Sequence, residues 1–134
     1  MLPCGYDFPL EDPAPVPKDL NYNLWIGPAP MRPFHPCYHP HDWHYWWDFG
    51  GGVLGNVGCH FMDLPFWALG LRHPTTIEAE GDPISPESTP RRMTIRYEFP
   101  ARDKMPPVTL TWYQGRPSPR VEGLEVARWG FCFL

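Results

Sequence analysis

The stretch DWHYWWDFGGGVLGNVGCHFMDLPFW, residues 42–67, decides how this chain is read. Trp43, Trp46 and Trp47 lead through Gly50-Gly51-Gly52 into a segment that carries Asn56, His60 and Asp63. Between residues 50 and 71, Leu54, Val57, Phe61 and Leu64 recur at spacings of three and four, the period of an amphipathic helix. Each interior glycine weakens such a helix by about 1 kcal/mol against alanine, which is tolerated where backbone must approach another surface closely. Pro65 is expected as a kink or a break, and Gly70 followed by Pro74 ends the segment in the usual order. On such a helix Asn56 and His60 lie only ~40° apart in azimuth, with Asp63 close to the same stripe. Polar groups presented together beside aromatic walls are the pattern of a small-molecule pocket.

Beyond residue 74 the period changes to two. Residues 75–81 read as a short strand. Met93, Ile95, Tyr97 and Phe99 alternate with Thr94, Arg96 and Glu98, and Val108, Leu110 and Trp112 alternate with Thr109, Thr111 and Tyr113. Two or three antiparallel strands with one apolar face need cover from the helix or from another subunit. Residues 1–36 form a proline-rich, irregular arm, because each proline removes a donor and fixes φ. Leu24, Trp25, Ile26 and Phe34 give that arm an apolar side, with residues 21–26 as a turn or strand that anchors it. The fold class is therefore α+β: an open, largely antiparallel sheet packed with a glycine-rich helix and a proline-rich arm.

Composition narrows the function classes. At 134 residues the chain has the length of one domain. Its 20 prolines exclude an all-helical bundle. A net charge of −4 without a basic cluster argues against nucleic acid as a partner. Cys4, Cys37, Cys59 and Cys132 are widely spaced, without a C-x-x-C, and are expected as reduced thiols. The N-terminus lacks the charged and apolar regions of a secretory signal, and the apolar run at 64–71 is too short to span a bilayer. A soluble cytoplasmic protein without membrane contact is the expectation.

His35, His39, His41 and His44 crowd one stretch beside Cys37. Their spacing matches no structural zinc pattern, and Pro36 and Pro40 keep the segment extended, so a pocket rim or crossing loop is the expectation and no metal is assigned. His60 admits two readings, a satisfied core imidazole or a group that exchanges a proton with a substrate hydroxyl. Asp63 orients a neighbour or caps an amide. No G-x-S-x-G, P-loop, or G-x-G-x-x-G opening a βαβ unit is present.

Three blocks resemble the C-terminal domain of the Gfo/Idh/MocA oxidoreductases: LWIGPAPMRPFHPCY at 24–38, WWDFGGGVLGNVGCHFMDLPFWALGL at 46–71 and IRYEFPARDKMPPVTLTWYQG at 95–115. They stand in the family's order and are most similar to its bacterial branch. The resemblance divides the chain into an irregular extension at 1–15, a substrate and oligomerisation domain at 16–115, and a divergent tail at 116–134. It implies a sugar- or polyol-like substrate, catalysis by His60 and a substrate contact from Asn56; Asp63, Trp43, His44, Trp46 and Trp47 are read as further substrate contacts from their place beside that pair. It also implies NAD(P) in the complete enzyme, held by a separate Rossmann domain, with no cofactor-binding residue in this chain. Partners are then a homo-oligomeric copy or a separate Rossmann half.

Two positions depart from the family pattern. Asn56 stands where the family has an aspartate, and His44 where the bacterial branch has an arginine. Neither Lys18 nor Lys104 stands in the family's Glu-Lys-Pro motif, so neither inherits the catalytic lysine. The chain is read as an oxidoreductase's substrate domain without its cofactor half, inactive alone. The rival reading is a non-catalytic carbohydrate-binding or subunit-interface module built on that scaffold.

Overall fold

The computed structural model describes residues 13–115, which pack as two units. The expectations for residues 1–12 and 116–134, Cys4 and Cys132 among them, lie outside these. One unit comprises residues 13–56 together with 83–90. The other comprises 57–82 together with 91–115.

The first unit is built around aromatic side chains. Helix α1, Tyr22–Ile26, begins where Asn21 accepts a hydrogen bond from the Leu24 N–H at 3.2 Å. This corrects the turn or strand expected at 21–26: an Asn cap and a stretch free of proline suffice for one helical turn. Gly27, at φ +56°, ends it in a conformation that side chains disfavour. Asp42–Tyr45 form a 3₁₀ turn. Cys37, Tyr38 and Trp46 make the buried centre, with Trp25, Tyr45 and Phe49 packed against it. Tyr38 meets Trp46 and Phe49 edge-on, each at 5.2 Å between ring centroids.

Residues 83–90 complete this unit from far along the chain. Trp46 and Ser88 form an antiparallel bridge. The Trp47 N–H donates to the Glu87 carbonyl at 2.9 Å, and the Thr89 N–H donates to the Tyr45 carbonyl at 2.8 Å. A Cβ on Gly52 would lie 2.4 Å from Thr89 Oγ1, so only glycine allows this approach.

The expected glycine-rich helix is present, as a π-helical turn, Leu54–Gly58, followed by helix α2, Cys59–Ala68. The π turn changes its packing. A π turn accommodates one more residue than an α turn, so everything beyond it slips by about one position. Leu64, expected on the buried stripe, is 40% exposed, while Pro65 next to it is buried inside the helix. Helix α2 then stops as Gly70 and Pro74 foretold. Gly70 adopts φ +59°, its N–H donates to the Trp67 carbonyl, and the Leu71 N–H donates to Phe66, the paired bonds of a left-handed cap.

The second unit's sheet runs β1 (Thr76–Gly81), β2 (Met93–Phe99), β3 (Val108–Gln114), in that order and antiparallel throughout. Register places Ile77, Tyr97 and Leu110 in one row and Ala79, Ile95 and Trp112 in the next, as period two requires. Ile95 and Phe99 are buried, and Phe99 meets Phe66 of α2 edge-on at 5.3 Å. The β2–β3 loop is fastened by Arg102, whose Nε donates to the Leu69 carbonyl at 2.8 Å beyond the end of α2. This is the α+β architecture expected, with an open three-stranded sheet. No helix among the described residues is long and apolar enough to cross a membrane.

Candidate functional site

A cleft of about 600 Å³ opens in the first unit, lined by Trp25, Ile26, Pro28, Ala29, Pro30, Trp43, Trp47, Asp48 and Phe49. Helix α1 and the turn after it supply one set of lining residues. The 3₁₀ turn and the residues after it supply the other. Trp43 and Trp47 keep 39% and 46% of their surface exposed, so broad ring area is available to a ligand. The Trp47 ring is fixed by its indole N–H, which donates to the Ser85 carbonyl at 3.1 Å. Trp25 is stacked on Tyr22 at 5.7 Å and meets Phe49 edge-on at 5.2 Å.

Asp48 is the single charged residue of this lining among the described residues. Its Oδ2 accepts from Arg32 Nη1 at 2.8 Å, and the other arm of the same guanidinium binds Glu87. Arg32 also lies over the rings of Tyr38 and Trp46, at 5.0 and 5.9 Å from their centroids. Burial opposes the charge on Arg32, yet its bonds to Glu87 and Asp48 and the fields of Tyr38 and Glu87 raise its pKa. Burial pushes the Tyr38 phenol up to about 12 despite the opposing guanidinium. Burial likewise raises Tyr22, again against Arg32.

The residues expected at the site are distributed unevenly. Trp43 and Trp47 line the cleft. Trp46 is fully buried in the core beneath, and His44 is buried with its Nδ1 2.9 Å from the His41 carbonyl oxygen. A Cβ on Gly50 would sit 2.8 Å from His44 Cα, so position 44 is closed over by backbone. Asn56 lies in the π turn and His60 in the first turn of α2, both exposed; Asp63, also exposed, lies further along α2. Asn56 shares the cleft's unit without lining the cleft, whereas His60 and Asp63 belong to the other unit.

Of the clustered histidines, His35 Nδ1 accepts from the Cys37 N–H, His39 meets Trp25 edge-on, and His41 Nδ1 pairs with Asp42. Among the described residues no three His, Cys, Asp or Glu side chains converge as metal ligands would. Trp25, Arg32 and Glu87 were not foreseen as parts of this region. A lone arginine inside the apolar, proline-rich block at 24–38 was the available signal for Arg32. Glu87 had none, because its role depends on a contact between distant segments.

A family model described as the C-terminal alpha/beta domain of an oxidoreductase family matches residues 9–102, well over half of the chain. No curated protein matches its sequence.

Proposed function

We infer the function from one premise: this chain belongs to the Gfo/Idh/MocA oxidoreductase family, as its C-terminal alpha/beta domain. We propose that it serves as the substrate domain of such an enzyme, holding a sugar- or polyol-like molecule. The observation that supports this most directly is the cleft with Trp25, Trp43, Trp47 and Phe49 around the carboxylate of Asp48. Aromatic faces suit the C–H faces of a sugar ring, and a carboxylate oxygen accepts hydrogen bonds from hydroxyls. His60 stands at the position of the family's catalytic histidine and is exposed; it belongs to the other unit and is assigned no place in this cleft.

The nicotinamide dinucleotide that the family implies does not fit the glycine segment. A pyrophosphate cradle needs open space over glycine backbone at a helix N-terminus. Here the space beside Gly50 is filled by the backbone of His44, and that beside Gly52 by Thr89. We therefore assign the dinucleotide to no described residue. Self-association belongs to the same proposal: Ile77, on the row with Tyr97 and Leu110, is 59% exposed and leaves part of the sheet's apolar face uncovered.

Ligand-observed NMR with myo-inositol tests the substrate reading. Saturation transfer to the polyol, lost in Trp47→Ala, is the expected result; equal transfer in both proteins removes the cleft from the proposal. The non-catalytic binding module is the second reading. It is favoured by Asn56 in place of the family's aspartate and by a buried His44 where the bacterial branch has arginine.

A further inference from the structure

We propose that the cleft selects its ligand by charge, taking a hydroxylated ring that carries an ammonium group ahead of a neutral ring, and turning away rings that carry a carboxylate or phosphate. This rests on the sugar- or polyol-binding reading and adds to it the sign of the preferred substrate.

Four features point the same way. First, Asp48 is the only charged residue in the lining among the described residues, and its side chain is 37% exposed. Its Oδ2 is engaged by Arg32, while Oδ1 has no protein hydrogen bond among the described residues and stays open to a donor. Second, the cation that pairs with Asp48 is already committed. Arg32 is held between Asp48 and Glu87, lies against Tyr38 and Trp46, and is only 19% exposed. One guanidinium between two carboxylates leaves the cluster with one net negative charge, a field that attracts cations and repels anions.

Third, the walls are aromatic. The faces of Trp25, Trp43, Trp47 and Phe49 carry the negative side of the ring quadrupole, which favours ammonium groups and disfavours anions. Fourth, part of the lining withholds donors, although the indole N–H groups of Trp25 and Trp43 are given no partner among the described residues. Pro28 and Pro30 have no backbone N–H, and the Trp47 indole N–H is already given to Ser85. An anion entering this cleft would meet no cationic donor in the described lining and would exchange its water shell for indole N–H bonds at most, which is unfavourable for a charged group.

The test titrates the whole chain with D-glucosamine in its protonated form, methyl glucoside, D-glucuronate and glucose 6-phosphate, following tryptophan fluorescence. The expected order is glucosamine, then glucoside, then the two anions. Glucosamine should bind about five- to tenfold more tightly than glucuronate, a modest ratio because Asp48 is partly solvated. In the unaltered protein the gap should narrow as salt screens the cluster. Asp48→Asn should bring the four dissociation constants together, with near-UV circular dichroism confirming the fold. Anions binding as well as glucosamine, or an order that neither salt nor Asp48→Asn changes, overturns the proposal. Equal binding of all four rings overturns charge selection and leaves the polyol reading standing. Failure of all four to bind removes both.

Discussion

Arg32 Nη1 lies 2.8 Å from Asp48 Oδ2, and through the same guanidinium Asp48 is joined to Glu87. One side chain thus ties the proline-rich arm, the tryptophan turn and the 83–90 segment. Arg32→Met should lower stability by about 1–2 kcal/mol, more than a surface ion pair, because two facing carboxylates lose their counter-charge. Urea denaturation checks this, and Arg32→Lys should recover only part of the loss, since an ammonium cannot fork between two acids.

The two tryptophans at 46 and 47 should behave differently although they are neighbours. Trp46 has no exposed surface, so Trp46→Ala should cost about 3–5 kcal/mol in a thermal or chemical melt. Trp47 keeps nearly half its surface in solvent, and Trp47→Ala should cost less stability while removing ligand-induced fluorescence changes.

Tyr38 makes stability depend on alkaline pH. Its phenol is raised by burial from 10.0 to about 12, so the folded chain holds the proton more tightly than the unfolded chain does. That stabilisation is complete below about pH 10 and is lost as pH rises through the folded value near 12. Chemical denaturation as a function of pH should show a fall over this window. Tyr38→Phe should have a flatter profile there.

Glycine substitutions separate strain from mere flexibility. Gly52 combines φ +68° with a Cβ position 2.4 Å from Thr89 Oγ1, so Gly52→Ala should destabilise by more than about 1 kcal/mol. Gly55 has open space around its Cβ position, and Gly55→Ala should stabilise by about 0.5–1 kcal/mol. Melting temperatures of the two variants should move in opposite directions.

Calorimetric titration with NADH and NADPH should give no micromolar dissociation constant for this chain. The space beside Gly50 and Gly52 is filled by His44 and Thr89, and no G-x-G-x-x-G opens a βαβ unit in this sequence. Saturable micromolar binding of either dinucleotide would contradict the placement of the cofactor away from the described residues.

The strands were legible because their signal is local: Ile95, Tyr97, Leu110 and Trp112 alternate, and the pleat converts alternation directly into a face. The end of α2 was legible for the same reason, Gly70 being the residue that accepts a left-handed cap. The helix face was not. Leu64, expected on the buried stripe, is exposed and Pro65 is buried in its stead, because the preceding π turn inserts one residue's worth of phase, which hydrophobic spacing does not register. Within the candidate site, Trp43 and Trp47 could be named from their neighbourhood in sequence. Arg32 and Glu87 could not, since the value of a charge depends on a partner brought from elsewhere in the chain.

The bridge between Trp46 and Ser88 also bears on synthesis. Strand β1 lies between the two residues in the chain, so the first unit cannot finish when its own opening stretch has been made. Closing a loop of about 40 residues costs roughly 3 kcal/mol in chain entropy, a toll absent from a hairpin. On the ribosome, Trp46 must wait, incompletely covered, until the segment ending at Pro90 has emerged. The aromatic centre of this protein is therefore assembled late, and a nascent chain stalled before Pro83 would present its tryptophans to chaperones instead of to ligand.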